Sequence, residues 1–303
     1  MPKTIRGAGL LRVADESAVR GDAIRRAARR GDVERLRRGA YVGAAHWAGS
    51  DEAQRHLLHV RAAVAAARTP VLVSHRSAAV LWGLPVVGLR DQRVHLTFVG
   101  ASGGVSRGVV SRHVVGTPPE EGLVDGVRVT SPARTVADLS RTCGLLTGVV
   151  AGDAAIRAGL VTLDELDAEV EAIGSGRGVR VARDVVAFVD GCSESPGESL
   201  SRIRMRELGL TMPRLQHVVT DRHGFVGRVD FWWEEFGVIG EFDGRSKYGL
   251  DESVTAAADR LWDEKVREDR LRAATAATVV RWTWADAWDG VPMYNALRAA
   301  GVR

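Results

Sequence analysis

Cysteine is nearly absent from this chain: two occur in 303 residues, Cys143 and Cys192. A disulfide framework and a four-thiolate zinc site are thereby excluded, and the reducing cytoplasm is the expected setting. No apolar run approaches the roughly 20 residues of a membrane span. The opening stretch MPKTIRGAGLLRVADES has no apolar segment of signal-peptide length. No H-E-x-x-H pair occurs, so a zinc peptidase has no support. Sustained coiled-coil heptads are missing too, which leaves the oligomeric state open.

What is present fits an ordinary globular protein: 45% hydrophobic and 26% charged residues, enough to bury a core. At roughly 100–200 residues per domain the length predicts two or three domains. The net charge of +4 is uneven. Residues 1–40 hold 11 Lys/Arg against 5 Asp/Glu, and the remaining 263 residues hold 31 against 33. Positive charge gathered at one end points to a nucleic-acid-binding module there, with a solubilising basic surface as the bland alternative.

The local pattern in that end is RGDAIRRAARRGDVERLRRGAYV, residues 20–42. Asp22 reads as an N-cap, Ala23 to Arg30 as a short helix, and Gly31 as its stop. VERLRRGAYV then reads as two short strands turning at Arg38-Gly39. A short helix before a basic hairpin is the sequence form of a winged helix-turn-helix. Arg25 and Arg29, and Arg26 and Arg30, are four apart and form two arginine ridges that a major groove can accept. Arg35, Arg37 and Arg38 fall on the wing.

The middle of the chain alternates helix and strand signals. DEAQRHLLHVRAAVAAAR (51–68) predicts a helix, with His56 and His59 as surface residues rather than metal ligands. PVLVS (70–74) predicts a strand, and Ser74 caps a helix that stops near Gly83-Leu84-Pro85. VHLTFV (94–99) and VVSRHVV (109–115) alternate as strands do. Ser131 caps a helix with Pro132 at its first turn, Thr162 opens another, and GSGRG (174–178) reads as a joint. The order of GDAIRRAARRGDVERLRRGAYV, LVSHRSAAVLWGLP and VTSPARTVADLSR resembles the AbiEi-family antitoxins over residues 5–145. That resemblance implies an operator-binding winged helix, a mixed domain behind it, and a nucleotidyltransferase toxin as a partner in systems that carry one.

From Ser193 the pattern changes. Ser195 and Pro196 open a helix that runs to Leu208, with Glu198 in its first turn. RLQHVVTD (214–221), FVGRVDFWWEE (225–235) and FGVIGEFDG (236–244) predict three strands. A helix from about Thr255 to Ala274 and a strand at ATVVRWTWAD (277–286) follow. Alternation puts Glu241 and Asp243 on one face, and the hairpin brings Asp230 toward them. Like charges at that range raise one another's pKa unless a counter-ion joins them. Mg²⁺ takes such hard oxygen ligands and can activate water beside a phosphodiester. The bland alternative is an ion network, with Asp230 on Arg228 or Arg281 and Glu241 on Lys247. The run WDEKVREDRLR (262–272) reads as a solvated face, with Leu261, Val266 and Leu271 toward the sheet. Trp232, Trp233, Trp282 and Trp284 read mostly as core, with base stacking as the functional alternative.

The order α-β-β-β-α-β and the motif D…ExDG resemble the PD-(D/E)xK nucleases, within them the branch related to very-short-patch-repair endonucleases, over residues 193–290. By that resemblance Asp230 and Glu241 hold Mg²⁺ or Mn²⁺, Glu198 orients metal-bound water, and Gln216 matches a glutamine of the first strand. Asp243 stands where the wider superfamily has lysine, so Lys247 or Lys265 is expected to supply the cation. The expected protein is therefore an α/β (α+β) multidomain chain. It has a winged helix-turn-helix (1–48), a mixed middle domain (49–178) and a restriction-endonuclease-like domain (179–303). Its expected activity is Mg-dependent cleavage of double-stranded DNA. The alternative is a non-catalytic transcriptional regulator or antitoxin.

Overall fold

The computed structural model of the protein describes residues 10–12, 18–88, 93–100, 108–244 and 266–303. The chain is mixed α/β, with helices interleaved among three described sheets. It divides into two compact units, Met1–Phe188 and Val189–Arg303. Among the described residues no helix is long and apolar enough to cross a membrane.

The first unit begins with β1 (Leu11–Arg12), α1 (Ala18–Arg30), β2 (Val33–Arg37) and β3 (Ala40–Gly43). The expected N-cap, Asp22, lies inside α1 instead of before it. Its carboxylate pairs with Arg25 three residues on, so it does not compete for the backbone and the helix runs through it. Gly31 ends the helix at φ 82°, a left-handed value that glycine adopts without steric cost. The three strands form an antiparallel sheet in the order β1-β3-β2. After the short α2 (Ala44–Ala48), Asp51 and Gln54 close a capping box on α3 (Glu52–Ala65).

The helix α3 serves two cores. Leu58 and Ala62 pack on Leu36, Ala40 and Val42 of the small sheet. Leu57, Val60 and Ala63 pack on a second core with Val73, Leu81, Val94, Leu96 and Val129. One helix thus packs against both the small sheet and the core that follows it. The second core belongs to a five-stranded sheet in the order β6-β5-β4-β8-β7. Its strands are β4 (Leu72–Val73), β5 (Val94–Val99), β6 (Val110–Val115), β7 (Glu121–Val124) and β8 (Val127–Thr130). Helix α4 (His75–Trp82) follows β4. His56 is fully buried rather than on the surface, its Nε2 2.9 Å from Ser77 Oγ on α4. Four helices complete the unit: α5 (Pro132–Cys143), α6 (Leu145–Arg157), α7 (Leu163–Ile173) and α8 (Val179–Val186). Ala182 of α8 packs on Ala137 of α5 and Val170 of α7, so α8 belongs to the first compact unit, which ends at Phe188.

The second unit opens with α9 (Pro196–Glu207), capped by Ser195 Oγ, which accepts from the Glu198 N–H at 3.2 Å. An antiparallel meander follows: β9 (Arg214–Asp221), β10 (Gly224–Trp233) and β11 (Val238–Asp243). Helix α10, described over 266–275, leads to β12 (Thr278–Thr283), which pairs with β11 in parallel. The sheet order is β12-β11-β10-β9, and α11 (Trp284–Asp289) and α12 (Val291–Ala299) close the chain. Val229, Trp232 and Ile239 of the sheet cluster with Leu271 of α10. Val266, expected toward the sheet, is exposed, and Leu261 lies outside the described residues. Trp232, Trp233 and Trp282 are core residues, and Trp284 is partly exposed. Gly240 and Gly197 permit close approach to aromatic rings. A Cβ on Gly240 would sit 2.5 Å from the Trp282 ring, and one on Gly197 2.0 Å from the Phe242 ring.

Candidate functional site

The strand pairing fixes where the acids meet. Phe231 lies opposite Gly240 in the β10–β11 hairpin, so Asp230 and Glu241 are the next neighbours on one face. Across the parallel pair, Glu241 stands beside Arg281 and Asp243 beside Thr283. Asp230, Glu241 and Arg281 therefore form a row across three strands. Asp243 lies exposed near the strand end.

Glu198 reaches the row from the first turn of α9. It is 5% exposed, and its Oε2 accepts from the Glu194 N–H at 2.8 Å and from Gln216 Nε2 at 2.9 Å. Gln216 sits on β9 between the pairs His217–Val229 and Leu215–Phe231, which places it across from Asp230. Its backbone has φ 50°, a left-handed value that is strained for a residue with a side chain. The amide also acts on Asp230 across the strand pair, drawing its pKa down. Asp230 Oδ2 accepts a further bond from the Phe242 N–H at 2.8 Å. Burial and the charges of Glu198 and Glu241 outweigh these bonds and push the Asp230 carboxyl up to about 6.

Glu241 is held differently. Arg267 of α10 donates Nη2 to its Oε1 at 2.8 Å, and Arg281 donates Nε to its Oε2 at 3.0 Å. Arg281 also meets Glu268 at 2.7 Å. The alternative ion network is thus rearranged: Arg281 pairs with Glu241 rather than Asp230, and Arg228 pairs with Glu194 at 2.6 Å. Lys247 and Lys265, the expected cations, lie outside the described residues.

Glu198, Gln216, Asp230 and Glu241 are brought together as expected from the sequence; Arg267 was not foreseen. It sits inside the charge run 262–272 that reads as a solvated face, and a run of alternating charges conceals which member turns inward. In the first unit, Arg25, Arg26, Arg29, Arg30 and Arg38 are exposed and Arg37 is half-buried. Arg25 pairs with Asp22, and Arg30 Nη2 with Asp32 Oδ2 at 2.8 Å.

No family model matches the chain. Over 120 residues it is 32% identical to the uncharacterized protein Rv2248 of Mycobacterium tuberculosis strain H37Rv, covering 40% of this chain. It matches the uncharacterized protein MT2308 of Mycobacterium tuberculosis strain CDC 1551 to the same extent. The chain spans 44% of the length of these curated relatives.

Proposed function

We propose that this protein binds double-stranded DNA through its N-terminal helix and hairpin and acts on phosphodiester bonds at the acidic row of its second unit. The observation that carries the reading is the convergence of Asp230, Glu241, Glu198 and Gln216 from three strands and a helix start. The elevated Asp230 pKa supports it, because perturbed carboxyls gather where a charge is to be received. On the nuclease-like reading, the second unit's α-β-β-β-α-β order is the scaffold of a PD-(D/E)xK domain.

On this reading the ligand type of the row is that of a hard divalent cation. Asp230 and Glu241 offer carboxylate oxygens, the ligand type of Mg²⁺ and Mn²⁺. The crowding that raises Asp230 is relieved by such an ion. Bound there, the ion supplies Lewis-acid stabilisation of phosphate charge and a more acidic water. The protein's own residues do the positioning. Gln216 holds Glu198 beside the row, and Glu198 is assigned to orienting a metal-bound water. Asp243 and Lys247 are assigned to positioning of the attacking water and the phosphate. In the first unit, Arg25, Arg26, Arg29 and Arg30 are assigned to the major groove, with Arg37 and Arg38 on the backbone beside it.

One observation favours a non-catalytic regulator: both Glu241 oxygens are already held by arginines. Cleavage decides between the readings. Purified protein is incubated with supercoiled and linear DNA in Mg²⁺ or Mn²⁺, with chelator as control. The nuclease reading requires cutting that Asp230→Ala and Glu241→Ala abolish. Cutting no greater than that of these variants leaves a DNA-binding module.

A further inference from the structure

Away from the acidic row, the first unit gathers three imidazoles. His75 begins α4, His95 lies on β5 and His113 on β6. Register places His113 beside Thr97, two residues from His95 along the neighbouring strand, so both side chains leave one face of the sheet. One ligand-capable atom from each of the three lies within 4.8 Å of the others. His95 Nδ1 and His113 Nε2 face each other at 2.9 Å, so one of the two nitrogens donates to the other. The rings of His75 and His113 stack with centroids 3.6 Å apart.

Two features hold His75 in place. Its Nδ1 lies 3.0 Å from Ser74 Oγ and 3.7 Å from Oδ2 of Asp138, which is 2% exposed. The Ser74 hydroxyl is thus the hydrogen-bond partner of Nδ1, and the other ring nitrogen is the one to offer a ligand. Its backbone is left-handed at φ 53°, a strain more often found at sites than in plain core. Arg134 and Arg141 approach the same Asp138, at 3.2 and 3.6 Å, and Arg134 also pairs with Glu169 at 3.2 Å. Two cations thus meet two carboxylates, and the surroundings are close to neutral.

We infer that His75, His95 and His113 form a site for a divalent transition-metal ion of the zinc class. Nitrogen-only ligation favours zinc over Mg²⁺, which sets this site apart from the acidic row. Zinc–nitrogen bonds of about 2.0–2.1 Å imply ligand atoms roughly 3.4 Å apart in a tetrahedron. Reaching that spacing takes a change of ring orientation as well as of distance. One of the stacked pair must turn, since parallel imidazoles present their lone pairs side by side. Three protein ligands leave a fourth position for water or a bound anion.

The test uses the full chain, stripped with chelator and titrated with Zn²⁺ and with Co²⁺ as a visible reporter. The expected result is one ion per chain with a tetrahedral Co²⁺ spectrum, and zinc absorption-edge fine structure showing nitrogen ligands without sulfur. Asp230→Ala/Glu241→Ala should bind equally well. His95→Gln and His113→Gln, chosen because these rings are half-buried, should weaken binding at least tenfold while circular dichroism stays native. Unchanged binding in folded variants overturns the site. So does sulfur ligation from Cys143 or Cys192, or an ion lost with the acidic row. Should the variants unfold, the wild-type ligand spectrum alone decides.

Discussion

Gln216 donates its side-chain amide to Glu198 at 2.9 Å from a backbone held in the left-handed region. The strain and the hydrogen bond belong together. The left-handed backbone at Gln216 accompanies an amide that reaches Glu198 on α9 from a position across from Asp230. Gln216→Ala removes the donor and leaves two carboxylates facing each other. A loss of about 1–3 kcal/mol is expected at pH 7. It should shrink at pH 5, where Asp230 is protonated. Urea denaturation at the two pH values measures it, and an equal loss at both would contradict the pairing.

Asp230 imposes its own pH dependence. Its folded pKa of about 6 exceeds the ordinary 3.8, so the folded state holds the proton more tightly than the unfolded chain. This group's contribution to stability is therefore full below pH 4 and declines as pH rises to about 6. Two pKa units correspond to an upper bound of about 3 kcal/mol. Asp230→Asn should be more stable than wild type at pH 7 and similar to it at pH 4. Stability curves that stay parallel across that window would refute the assignment.

The same titration governs the proposed cation. Protons and Mg²⁺ compete for Asp230, so Mg²⁺ binding should strengthen about tenfold per pH unit below 6 and level off above it. Calorimetry from pH 5 to 8 reads this directly. In Asp230→Asn the slope should vanish.

Gly197 is a packing requirement. A methyl there would overlap the Phe242 ring at 2.0 Å, and α9 cannot retreat without withdrawing Glu198 from the row. Gly197→Ala should destabilise by about 1–3 kcal/mol, as overpacked cores do. Adding Phe242→Leu should recover part of the loss. A double variant no better than the single would show that the clash is not the cause.

DNA binding by α1 should be salt-dependent. With about four arginines on phosphates, affinity should fall roughly a hundredfold between 50 and 200 mM salt. Arg26→Ala with Arg29→Ala should flatten the log–log slope by about two. A slope near zero in wild type would exclude α1 as the reader.

Much of the second unit was legible because its signals are local. Ser195 with Pro196 marks a helix start, and β9 spans the predicted residues 214–221. Alternation then set Glu241 and Asp243 on one face. The Glu241 partners were not legible, because Arg267 comes from a helix whose inward face depends on tertiary packing. In the first unit, Asp22 has the residue type of a cap, but residues before it extended the helix. His56 was misread because polar residues at i and i+3 resemble an exposed face. Ser77, 21 residues away in sequence, is a partner of its buried ring. The imidazole cluster is likewise assembled from three separated segments, and no short motif announces it.

The parallel pairing of β11 with β12 has a kinetic consequence. Strands β9 to β11 are joined by short turns, whereas β12 returns after 34 intervening residues and a crossover helix. Local meanders close sooner than long crossovers. The expected folding order forms the meander first and adds β12 late. Substitutions at Val219 would then slow folding, and those at Val280 would mainly speed unfolding. Until β12 docks, Glu241 lacks Arg281, so the acids stand together with only part of their counter-charge. The last strand to arrive completes the electrostatics of the row, and a chain interrupted beyond Asp243 would carry the acids without their full complement of cations.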